Sequence, residues 1–139
     1  MNLYLDASAL IALLTEDIHS ERAVAQIRAT TVVPVVSDWS RAEFASVVAR
    51  FVRTGVLSKS EAEAVFLTLD GWAANSTERA ETRTEDVVAA DMMMRRLDLN
   101  LRAPDAVHLA IANRLCAVLL TYDTKMAAAA AALGLTVAA

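Results

Sequence analysis

Four acidic residues stand inside stretches that are otherwise apolar or small: Asp6 in LYLDASAL, Glu43 in SRAEFASVV, Asp105 in RAPDAVHLA and Asp123 in LLTYDTKM. A carboxylate flanked by residues bound for a core loses its hydration, and a cation or hydrogen-bond donors must replace the lost water. One shared divalent metal accounts for all four at once. Magnesium and manganese prefer hard oxygen ligands, and a metal that contacts a phosphate also activates water for its hydrolysis. The constellation therefore reads as a metal-dependent nuclease, with Asp6, Glu43, Asp105 and Asp123 as its catalytic and metal-ligating candidates. With three glycines, one cysteine and two histidines, the chain has no Gly-rich phosphate loop and no Cys-His pair. General-base work is left to a carboxylate or to water activated by the metal.

The elements that must position these acids follow from the local pattern. The run Asn2 to Leu5 reads as a strand ending at Asp6, and Ser8 can cap a helix carrying Leu10, Leu13 and Leu14. A second helix is expected from Ser20, then a short strand over Val33 to Val36 weakened by Pro34. Ser37 or Asp38 can cap the next helix, whose Phe44, Val47, Val48 and Phe51 recur at helical spacing until Gly55. Ser58 and Glu61 form a capping box ahead of an apolar stripe at Ala62, Val65, Phe66 and Leu69. The polar stretch NSTERAETRTED reads as a loop, with a short strand near Glu81 to Arg83 and a helix from about Thr84. Pro104 fits the first turn of a helix reaching Leu115, and Val118 to Thr121 forms a buried strand just ahead of Asp123. Ala127 to Ala132 reads as a thin helix closed by Gly134, with Leu135 to Val137 as a terminal strand.

Alternating strands and helices specify an α/β domain with a mainly parallel sheet flanked by helices. Ligands in such sheets collect at the carboxyl ends of strands, where Asp6 and Asp123 stand. Glu43 and Asp105, in opening helical turns, gain from the helix dipole and have just left the same edge. All four can converge.

At 139 residues the chain fits a single domain, 1–139, able to bury roughly two thirds of its unfolded surface. Apolar residues make up 56% and mean hydropathy is +0.39. No run approaches the roughly 18 residues of a membrane span, so the excess is expected in a homodimer or under a partner chain. The N-terminus lacks the basic leader of a signal peptide, and Cys116 is the only cysteine, which points to the cytoplasm and to a buried, inert thiol. The net charge of −4 argues against a nucleic-acid ligand until roughly two to four positive charges are returned by bound divalent cations. Arg41, Arg102 and Lys125 lie two or three residues from Glu43, Asp105 and Asp123 and are candidate phosphate contacts.

In its N-terminal LDAS, its SRAEF, its RAPDAVHLA and its terminal LLTYD, the sequence resembles the PIN-domain family, particularly the VapC toxins of toxin-antitoxin modules. The motifs agree in order and spacing over nearly the whole chain. The resemblance implies a sheet of about five parallel strands and a ribonuclease that cuts RNA phosphodiesters with Mg2+ or Mn2+. It further implies a homodimer silenced by a cognate VapB-type antitoxin. It assigns Asp6, Glu43, Asp105 and Asp123 to the metal, directly or through water, and gives Ser8 and Thr121 supporting hydroxyls.

Other residues have structural readings. Asp38 can cap a helix, Asp91 can pair with Arg95, and Asp70 and Asp98 fall near expected helix ends. His108 shares a helix face with Asp105 and is read as structural, and His19 as a loop residue. Met92, Met93 and Met94, with Trp39 and Trp72, are read as core or interface filling. Three functional alternatives stand beside the toxin: an RNA-processing nuclease without antitoxin, a non-catalytic metal-binding scaffold, and a phosphatase with an aspartyl nucleophile and Lys125 on the phosphate. The last requires a second acid two residues after Asp6, where Ser8 stands.

Overall fold

The structure, a computed structural model, describes residues 2–138. Its centre is strand β1 (Leu3–Leu5), hydrogen-bonded in parallel to β2 (Pro34–Ser37) on one side and β4 (Val118–Leu120) on the other, with β3 (Glu78–Ala80) outside β2. In register, Leu3, Tyr4 and Leu5 face Pro34, Val35 and Val36 and also Val118, Leu119 and Leu120. Because successive side chains leave a strand on opposite faces, each strand feeds two cores. Tyr4, Val35 and Leu119 enter one, shared with α5 (Thr84–Met94), α6 (Ala103–Arg114) and α7 (Thr124–Ala132). Leu3, Leu5, Val36 and Leu120 enter the other, under α1 (Ala7–Leu14), α3 (Asp38–Arg53) and α4 (Lys59–Ser76). Helix α2 (Ser20–Ala29) packs on α1. This is a three-layer α/β/α domain with an all-parallel sheet.

Among the described residues the sheet has four strands, against about five expected. Leu135 to Val137 touches β4 through a single parallel bridge, Leu119 to Val137, sustained by Leu119 N–H to the Thr136 carbonyl (2.9 Å) and Ala138 N–H to the Leu119 carbonyl (2.8 Å). Pro34 opens β2, the position a strand tolerates best for proline. The capping box at α4 is present in both directions, Ser58 N–H to Glu61 at 2.9 Å and Glu61 N–H to Ser58 at 3.1 Å.

Several boundaries differ from expectation. Helix α4 continues through Asn75 and Ser76, so Asp70 lies in its interior rather than near its end, and β3 starts at Glu78, earlier than the expected strand. An edge strand of three residues with one buried side chain, Ala80, leaves no alternation to read. The cap of α1 is Asp6, not Ser8: its Oδ1 accepts from Ala9 N–H at 2.9 Å. Cys116 is exposed, because the chain turns through a left-handed residue there (φ 50°) as it leaves α6. Among the described residues no helix is long and apolar enough to cross a membrane.

Candidate active site

The parallel sheet brings the carboxyl ends of β1, β2 and β4 to one edge, and the chain leaves each of them into a helix. Asp6 directly follows β1 and caps α1, and Asp123 comes three residues after the end of β4 and caps α7. Both cap hydrogen bonds of Asp123, from Lys125 N–H (2.9 Å) and Met126 N–H (3.0 Å), go to Oδ1. Glu43 lies in the second turn of α3, reached from β2 without a loop, and Asp105 in the first turn of α6. All four acids line one cavity of about 460 Å3.

Asp6 sets the floor of this cavity. It is 1% exposed, and its carboxylate is held from both sides by neutral donors: Ser8 Oγ and Ala9 N–H on Oδ1 (2.7 and 2.9 Å) and Thr121 Oγ1 on Oδ2 (2.5 Å). Burial pushes its pKa above the usual carboxylate range, against the opposing influence of His108 and of these hydrogen bonds. Asp105 is raised as well, first by burial and then by the charges of Asp123 and, less strongly, Glu43. These acids feel one another, and no lysine or arginine ion-pairs with Asp6, Glu43, Asp105 or Asp123 among the described residues.

Such a donor set fits a hard divalent cation. Among the described residues no three His, Cys, Asp or Glu side chains form a ready-made cage. Ser8 and Thr121 are both at Asp6, 3.3 Å from each other.

Of the three cations flagged by proximity in sequence, Arg102 lines the cavity and lowers the pKa of neighbouring Asp105. Arg41 does not: two residues from Glu43 on a helix, it points elsewhere, and pairs with Asp70 on α4. Lys125 is exposed outside the lining. Three lining residues carried no signal in the sequence: Asp17, His19 and Arg50. His19, read as a loop residue, stacks on Tyr122 with ring centroids 4.9 Å apart and planes at 9°. Its partner is over a hundred residues away, so no local pattern exposes the pair. The acids set aside are occupied elsewhere: Asp38 with Arg79, Asp91 with Arg95, Asp98 with Arg96.

The family model described as PIN domain matches residues 3–132. This chain belongs to the PIN-domain family. Solved structures agree with that. VapC20 of Mycobacterium tuberculosis, described as a sarcin-ricin loop cleaving toxin, superposes with TM-score 0.73 at 16% identity, over 91% of this chain and 94% of its own. VapBC2 of Rickettsia felis, bound to a DNA fragment from its promoter, gives 0.72 at 15%, over 99% and 98%. A toxin-antitoxin complex from Klebsiella pneumoniae gives 0.62 at 17%, over 88% of each chain. At these identities the likeness is one of fold. No match is found among curated protein sequences. The PIN domain is a nuclease fold, and this chain's cavity lies at the carboxyl edge of its sheet.

Proposed function

We propose that this PIN domain is a divalent-metal-dependent endoribonuclease, the toxin of a VapBC-type module, acting in the cytoplasm. The observation that carries the reading is the single cavity lined by Asp6, Glu43, Asp105 and Asp123 at the carboxyl edge of the sheet. These four would hold Mg2+ or Mn2+, directly or through water. When bound, the ion offsets charge developing on the phosphate and makes water a better nucleophile. The chain's own contribution is preorganisation. Ser8 and Thr121 grip opposite oxygens of Asp6, and the cap bonds hold Asp123 by one oxygen. Arg50 and Arg102 line the same cavity and supply positive charge for the flanking phosphates. The similar fold of a toxin described as cleaving the sarcin-ricin loop supports RNA as substrate, and the toxin-antitoxin complexes of like fold support an antitoxin partner. Exposed Leu67, Val88, Met92 and Leu97 offer apolar surface for a homodimer or an antitoxin.

The test is cleavage of a structured RNA with magnesium, with manganese and with chelator, comparing the wild type with Asp105→Asn. Cleavage is expected with either metal, to vanish with chelator, and to be lost in the variant. Metal-independent cleavage, or an Asp105→Asn enzyme as active as the wild type, sinks the assignment. Metal binding without cleavage of any RNA favours the scaffold instead, and growth arrest on expression, absent in the variant, supports the toxin role over RNA maturation.

The two cavity arginines have their own signature. Arg50→Gln and Arg102→Gln should each raise KM for RNA several-fold with little change in kcat. Each should also flatten the log–log salt dependence of binding by about 0.7, the share of one phosphate contact on a single strand. An unchanged salt slope would remove that arginine from the RNA path.

A further inference from the structure

His108 borders the cavity and is as deeply buried as Asp6, at 1% exposure, and both its ring nitrogens are engaged. Nδ1 lies 2.7 Å from the Tyr4 hydroxyl, and Nε2 meets Glu43. Tyr4, fully buried at the middle of the central strand, is itself fixed by Ser37 Oγ at 2.8 Å and Ser40 Oγ at 3.1 Å. The serines are tied to backbone: Ser40 Oγ donates to the Leu5 carbonyl at 2.7 Å, and Ser40 N–H donates to Ser37 Oγ at 2.9 Å. A chain of hydrogen bonds thus runs from the backbone of β1 and the β2–α3 junction through Tyr4 and His108 to one carboxylate oxygen of Glu43.

The direction of the last bond does not depend on the charge of the imidazole. If Tyr4 donates to Nδ1, the ring is neutral and its proton is on Nε2. If Nδ1 carries a proton, Tyr4 accepts from it and turns its own proton to a serine, and Nε2 must be protonated as well, because a bare Nε2 would set its lone pair against the Glu43 carboxylate. Either way Nε2–H donates to Glu43. Such a buried polar string is an unusual use of core volume, since well-packed apolar residues would serve stability as well. What it does achieve is geometric. Glu43 projects from a helix with three free torsions, and fixing them in one arrangement costs conformational entropy. Its side chain is 28% exposed, so while His108 holds one oxygen the carboxylate still borders the cavity.

We propose that His108 and Tyr4 are positioning residues that hold Glu43 in its metal-binding arrangement, an outer support of the kind that tunes metal sites. The inference rests on the reading that Glu43 serves the metal. It is tested by titrating the whole chain with Mn2+ alone, following free Mn2+ by electron paramagnetic resonance. Gln can place an amide donor where His108 has Nε2, whereas Asn is too short. His108→Gln should therefore bind Mn2+ nearly as the wild type does, and His108→Asn about tenfold more weakly. Tyr4→Phe, which deletes one oxygen and keeps the ring, should weaken binding in the same direction and serves if the histidine variants fail to fold. In a Glu43→Gln background neither His108→Asn nor Tyr4→Phe should cost anything further. Equal losses with and without Glu43, or wild-type affinity in His108→Asn and Tyr4→Phe, overturn the proposal. If Glu43→Gln alone binds Mn2+ as the wild type does, the role of Glu43 at the metal falls, and the proposal falls with it by a route that the other outcomes do not share.

Discussion

Asp6→Asn should yield a protein that melts at a higher temperature than the wild type in metal-free buffer and has lost its nuclease activity. The two effects share one cause. Asp6 is almost wholly buried, it is gripped by neutral donors, and among the described residues no lysine or arginine pairs with it. Without metal, its charge is a desolvation cost that the fold carries. Asn keeps the shape and one acceptor, and its amide can donate to Thr121 Oγ1, whose proton can turn toward Ser8 3.3 Å away. Removing the charge should stabilise by about 1 kcal/mol, a rise of roughly 3–5 °C for a domain this size. On the proposed reading the same change also removes a metal ligand from the cavity, and activity should fall on the order of 10²–10³-fold or more, the scale of losing one preorganised electrostatic contact. A melt and an RNA cleavage assay on one preparation check both halves. A variant less stable than the wild type in chelator would show that the charge of Asp6 is compensated within the chain.

The pH dependence follows in sign. Burial raises the pKa of Asp6 above its unfolded value, so the folded chain binds this proton more tightly than the unfolded one. Stability from Asp6 is therefore full below the unfolded carboxyl range and is lost as pH rises through the raised, folded pKa. The melting difference between Asp6→Asn and wild type should be near zero in acid and widen as pH increases through that window, then level off. Other carboxylates, Asp38 and Asp98 among them, are held low by arginines and make the whole protein more stable as acid is withdrawn, so only the difference isolates Asp6. A divalent ion should reverse the trend by binding the deprotonated form, adding about 2.7 kcal/mol at a hundredfold excess over its dissociation constant.

Asp6 and Asp123 were legible in the sequence because each interrupts the end of a short apolar run, and in a parallel sheet such ends share an edge. Glu43 and Asp105 followed from their apolar or small neighbours and from their places in the opening turns of expected helices. What stayed hidden was non-local. Tyr4 meets partners 33, 36 and 104 residues away, and from LYLD alone its hydroxyl is only a polar end on a core residue. The cationic wall was misjudged for a related reason: Arg41 is close to Glu43 in sequence, yet a helix turns them apart, while Arg50, seven residues on, comes round to the same cavity. Cys116 was placed inside by its apolar neighbours, and one left-handed residue at the end of α6 sufficed to turn it out.

The largest loss of stability should come from Arg114→Leu, and it should leave the chemistry nearly untouched. Asp86 was read as one charge in a polar stretch, but it is 1% exposed and takes two hydrogen bonds from the Arg114 guanidinium, at 2.7 and 2.9 Å, and one from Arg83 N–H at 2.8 Å. Burial works against its charge, and the Arg114 contacts outweigh it and hold its pKa below the usual range. Arg114, itself only 19% exposed, also donates to the Glu81 carbonyl at 2.9 Å, so one side chain fastens α6 to α5 and to the segment after β3. Removing it strands a buried carboxylate, which costs about 3–5 kcal/mol, a large part of the 5–15 kcal/mol a typical domain has and roughly 10 °C or more in melting temperature. Arg114→Leu combined with Asp86→Leu should recover most of that, because an apolar pair in the same volume leaves no orphaned charge. Arg114 is in the last turn of α6 and Asp105 in the first, about 13 Å apart along the helix, so well below its melting point Arg114→Leu should keep wild-type kcat. The two substitutions thus move in opposite directions: one removes the charge that the site needs and the fold resists, the other removes the partner of a charge that the fold needs and the site never touches.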